Sequence, residues 1–185
     1  MTPILGIIAS STTAARLGDY ESIATVTVGS GGAAGATFSS IPATYQHLQI
    51  RGIMRANRGG QEDSVRLQFN SATGTVYDYH LLYGTGSSAV SGDGISQNFI
   101  YPVVTTAASD AANTFAVMVV DILDYANTNK NTTVRSLAGY DENGAGLAWF
   151  ASGLWRNTAA VNEIYISPGS SSWVQYSSFA LYGIK

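Results

Sequence analysis

The chain has 185 residues, enough for one domain with a sizeable core. Only 11% of its residues are charged and the formal net charge is −3, against a usual charged share of about 25%. The densest basic stretch is Arg51, Arg55 and Arg58, with Glu62 and Asp63 just beyond, and cysteine is absent; phosphate-driven nucleic-acid binding, disulfides and thiolate chemistry are therefore excluded.

Read in chain order, the first segment differs from the rest. Met1 to Ala9 is apolar, with Ile4, Leu5, Ile7 and Ile8 close together, and Ser10 to Thr13 is small and polar. It lacks the basic flank and the length of a signal sequence, and no apolar run approaches the ~18 residues of a membrane span; a soluble protein outside the usual secretory route is expected. An apolar strand left free is sticky and needs a partner. Residues 1–19 therefore read either as an arm that docks into a neighbour or as an edge strand of the same domain, with the domain proper over 20–185.

From there apolar and polar residues alternate. Ile23 to Val28 is dense in β-branched residues, and His47 to Arg51 and Val65 to Phe69 keep a period of two, which predicts strands with one wet face. Thr114 to Ile122 is nearly continuous in apolar residues and predicts a central strand covered on both faces. Asn162 to Ser167 and Gln175 to Ile184 are the late strands. Turn signals stand at Gly29–Gly32, Asn57–Gly60, Ser91–Gly94, Asn143-Gly144 and Ser167–Ser170, with Asp141–Gly144 the clearest hairpin. Asp124 to Lys130 is expected to form one short turn of helix. The fold expected is all-β: a single antiparallel β-sandwich or jelly roll of about eight to ten strands, with a short N-terminal arm.

Residues able to carry chemistry are sparse. His47 and His80 are the two histidines, and no metal-ligand spacing accompanies them; both read as packed, hydrogen-bonded side chains. Asp121 and Asp124 form the nearest carboxylate pair and read as structural hydrogen-bond acceptors. No nucleophile elbow is present, and Gly29-Ser30-Gly31-Gly32 lacks the lysine and the helix of a phosphate loop. The expectation is no catalytic residue, no metal and no cofactor. Among the aromatic residues, Trp155 reads as core or sheet edge. Trp173, in the run Ser170-Ser171-Ser172, reads as an exposed contact residue, as does Asn57 in its turn.

Several stretches of the sequence resemble a group of β-sandwich virion proteins of tailed phages, often described as tail-fibre or structural proteins. They are Ile4-Leu5-Gly6-Ile7-Ile8-Ala9-Ser10-Ser11, Gly18 to Val26, Phe38 to Tyr45, His47 to Arg51, Val120 to Thr128, Ser152-Gly153-Leu154-Trp155 and Gln175 to Gly183. The resemblance implies a non-enzymatic virion component, made in the host cytoplasm, that binds other virion proteins and forms a homo-oligomer, a trimer by analogy. Fibre members usually attach the module to a stalk, and no stalk is expected here. Two roles follow: capsid decoration, tied down by Ile4, Leu5, Ile7 and Ile8, or a tail-fibre adhesin that meets a host glycan or receptor.

Overall fold

The computed structural model describes residues 19–142 and 144–185. Apart from Asp19, the expected arm, with Ile4, Leu5, Ile7 and Ile8, lies outside the described residues. The described chain is all-β and antiparallel, with twelve strands: β1 (Tyr20–Thr27), β2 (Ala36–Phe38), β3 (His47–Met54), β4 (Glu62–Phe69), β5 (Tyr77–Gly84), β6 (Ala89–Gln97), β7 (Val104–Thr106), β8 (Ala116–Leu123), β9 (Thr132–Asp141), β10 (Gly146–Trp155), β11 (Ile164–Pro168) and β12 (Ser178–Ile184). They form an eight-stranded sheet in the order β1-β12-β3-β8-β9-β10-β5-β6 and a four-stranded sheet in the order β2-β11-β4-β7. The count exceeds the eight to ten expected because β2 and β7 have three residues each, too few to print an alternation.

Period two sorts the side chains. In β4, Val65, Leu67 and Phe69 are buried while Ser64, Arg66 and Gln68 stay partly wet. Leu48 and Ile50 of β3, Met118, Val120 and Ile122 of β8, and Phe179 and Leu181 of β12 share one core with Ile164 and Ile166 of β11. Each such side chain removed from water contributes roughly 1.5–3 kcal/mol before ordering costs. An aromatic cluster ties the two sheets together: Phe69 lies 5.6 Å from Trp155 and 6.4 Å from Tyr77 between ring centroids. The Phe69 backbone N–H donates to Tyr77 Oη at 2.9 Å, so the buried phenol keeps a polar partner.

Three expectations change. The first is Thr114 to Ile122, where β8 is covered on one face only: Ala116, Met118, Val120 and Ile122 are buried, but Val117 is exposed. A continuous apolar run therefore marks here a strand whose outer face is also apolar, and that face matters below. The second is Ser91–Gly94, which lies inside β6. A Cβ on Gly94 would come within 2.4 Å of the Tyr79 ring, so this glycine gives room to an aromatic side chain and makes no turn. The turn that does join β5 to β6 has Thr85 N–H donating to Ser88 C=O at 3.0 Å. The third is Asp124 to Lys130, which is a turn without helix, closed by Asn127 N–H to Asp124 C=O at 2.9 Å. The β9–β10 hairpin lies where expected, with Glu142 N–H donating to Ala145 C=O at 2.8 Å.

Candidate functional site

The four-stranded sheet covers the inner face of the large sheet, which leaves the large sheet's outer face to solvent or to partners. Strand register arranges that face in rows. One row runs Arg51 (β3), Val119 (β8), Leu137 (β9), Phe150 (β10) and Leu82 (β5), each directly opposite the next. Leu137 is 66% exposed and Phe150 49%. A neighbouring row runs Ile53, Val117, Gly139 and Ala148. Ile53, Val117 and Leu82 are also about half exposed. Gly139 leaves a dip in this surface, a shallow depression of about 510 Å³ bordered by Val117, Val119, Leu137 and Ala148. Scattered exposed leucines are ordinary, but a contiguous apolar row on rigid strands is a candidate interaction surface.

On the other side of the apolar row the face is polar. Gln49, Asp121, Arg135, Ser152 and His80 follow one another across β3, β8, β9, β10 and β5. Tyr20 Oη donates to Gln49 Oε1 at 2.6 Å, Gln49 Nε2 donates to Asp121 Oδ1 at 2.8 Å, and Arg135 Nε donates to Asp121 Oδ2 at 2.9 Å. The Arg51 guanidinium sits over the Tyr20 and Tyr182 rings, which stack at 4.7 Å. These contacts fix the side chains in place, so the face offers a preorganised pattern: an apolar stripe beside a hydrogen-bonded polar one.

The residues singled out from the sequence fall elsewhere. Trp173 is fully buried, which overturns its expected exposure. Its backbone pairs with Ala33 in both directions, N–H to C=O at 2.7 Å and C=O from N–H at 3.1 Å. Its indole N–H donates to Ile166 C=O at 3.2 Å, and its ring packs on Phe179. The serines before it are tied down by buried Asp63, which accepts from Ser171 Oγ at 2.6 Å. The exposed aromatic of this region is Tyr176, at 71%. Asn57 is exposed, and its Oδ1 holds Ser172 N–H at 2.9 Å.

His47 Nδ1 accepts Asp124 N–H at 3.0 Å, whereas His80 is exposed on the outer face, contrary to the packed reading. Asp121 and Asp124 do not converge on one cleft: Asp121 belongs to the polar row, and Asp124 pairs with Lys130. Their partners are mainly side chains, where backbone N–H groups were expected. In the sequence the outer row has only a faint signal: Val117, Val119, Leu137, Phe150 and Leu82 stand at the positions that alternate with the buried ones.

A second aromatic cluster lies on the large sheet's inner face, around buried Trp149. Tyr83 stacks on Trp149 at 5.0 Å, and Tyr101 meets Trp149 edge-on at 5.2 Å. Tyr140 Oη donates to Glu62 Oε1 beside them. Burial raises the Tyr101 phenol above its ordinary value, with the Glu62 charge adding to it; burial and then the bond to Glu62 do the same for Tyr140. Folding thus favours the protonated phenols. Their contribution is complete below the unfolded value of about 10 and is lost as pH climbs through the raised folded values. Alkaline titration followed by circular dichroism should show unfolding that begins above about pH 10. Tyr101→Phe should move that onset to higher pH; an unchanged onset would contradict this assignment.

No family model, curated protein or solved structure matches the chain.

Proposed function

We propose that this chain is a non-enzymatic structural protein of a tailed-phage particle, displayed on its exterior, and that it works by binding other proteins as a capsid decoration protein. The observation that carries the reading is the outer face of the eight-stranded sheet, where Leu137, Phe150, Leu82, Val117 and Ile53 stand half exposed or more on fixed strands. A face of this kind is suited to association with protein. The low charge density leaves little long-range electrostatic steering, which fits assembly on a crowded lattice better than capture of a charged ligand. The phage-like words at both ends and in the middle of the sequence supply the virion context.

The chain should co-sediment with particles of the phage that encodes it through a density gradient and resist washing in high salt, because an apolar contact is not screened. Absence from such particles would overturn the reading. Presence confined to isolated tails would favour the adhesin role.

A further inference from the structure

We infer that the outer face of the eight-stranded sheet is a two-fold interface with a second copy of this chain. The sheet's centre lies between β8 and β9, with four strands on either side. A two-fold axis along the strands at that centre places β8 of one copy against β9 of the other, and β3 against β10. It leaves each row of side chains facing the same row of the partner.

The register then makes the face complementary to itself. Val119 meets Leu137, Val117 meets the dip at Gly139, Ile53 meets the small Ala148, and Asp121 meets Arg135, each contact occurring twice. Arg135 already holds the Asp121 carboxylate of its own chain, yet its side chain is 63% exposed, so it can also reach the second copy. Face-to-face sheets pack about 10 Å apart, a distance that interdigitating Leu, Val and Phe side chains fill. The exposed parts of Ile53, Leu82, Val117, Leu137 and Phe150 amount to roughly 500 Å², near the upper end of what monomers leave uncovered. A stable interface buries roughly 800 Å² per copy, so the polar row beside the apolar one must supply the rest.

The inference gives the face that supports the proposed function to a second copy, leaving the N-terminal arm or other surfaces to meet the particle; mass in solution and association with particles are read separately, so either can fail alone. Sedimentation of the full chain between about 1 and 100 μM, the range where a standard interface gives measurable dimer, should yield twice the monomer mass of 19.4 kDa. Leu137→Asp should weaken the dimer at least about a hundredfold, since it places a charge in the apolar contact, and its circular dichroism should stay that of the wild type. Asp121→Arg should also weaken it by setting like charges face to face, and adding Arg135→Asp should restore it. Mixing Asp121→Arg chains with Arg135→Asp chains, each mispaired within itself, should give a heterodimer, which separates facing pairs from repair within one chain. A monomer at 100 μM, which would mean that another partner or residues 1–18 cover the face, would overturn the inference. So would a trimer, or a dimer that survives Leu137→Asp and Asp121→Arg.

Discussion

Deletion of residues 1–15 should leave the sandwich folded, with a nearly unchanged melting temperature, and abolish incorporation into particles. The first half follows from how the described domain closes itself. Edge strand β1 begins at Tyr20, pairs along β12, stacks Tyr20 on Tyr182, and holds Lys185 Nζ to Glu21 Oε1 at 2.9 Å. None of these contacts draws on residues 1–15. The second half follows from sequence: Ile4, Leu5, Ile7 and Ile8 would each contribute roughly 1.5–3 kcal/mol on burial in a partner. Ordering the backbone opposes this by about 1–2 kcal/mol per residue. One arm is therefore a weak tether, and many on one lattice hold through avidity. Ile7→Asp with Ile8→Asp should reproduce the loss, because unpaired buried charges cost several kcal/mol. A deleted chain that unfolds, seen by differential scanning calorimetry, would mean that the segment is an ordinary strand of the same domain, and docking would fall to the surfaces of the described domain.

Trp173→Ala should cost about 3–5 kcal/mol of stability, the range for removing a large buried aromatic. The side chain is wholly enclosed, donates to Ile166 C=O, and lies 5.2 Å from the Phe179 ring. It therefore joins β11 of the small sheet to β12 of the large one, and its loss opens a cavity where the two sheets meet. Trp173→Phe keeps most of the apolar contact and loses the indole hydrogen bond, so it should cost less than the alanine substitution. Urea unfolding of both variants checks the order. A Trp173→Ala protein as stable as the wild type would contradict the packing described and restore the residue as a surface contact.

The two-sheet fold was legible because alternation survives wherever one face is dry and the other wet, as in β3 and β4. It failed in β8, where both faces are apolar for different reasons: Val120 for the core, Val117 and Val119 for a surface that repels water. Sequence pattern cannot separate a covered strand from one awaiting a partner, since both replace polar side chains with apolar ones. Glycine was ambiguous in a similar way. Gly92 and Gly94 look like a turn, yet they lie inside β6, where Gly94 gives room to Tyr79. Around Trp173 the run Ser170 to Ser172 has the composition of a solvent-exposed loop, while the buried Asp63 and the Ala33 backbone that enclose it lie far away in sequence. The outer face of the large sheet is the least legible feature, because its rows exist only once β3, β8, β9, β10 and β5 are set side by side in register.

Counting the chain in purified particles tests the central claim most directly. Quantitative mass spectrometry against the major capsid protein gives copies per particle without disturbing the assembly. A decoration protein that lines a capsid lattice should appear in hundreds of copies, on the order of the capsid subunits it covers, and avidity requires that many weak contacts act together. A few dozen copies or fewer would move the protein to the tail, and none at all would contradict a structural role in the particle.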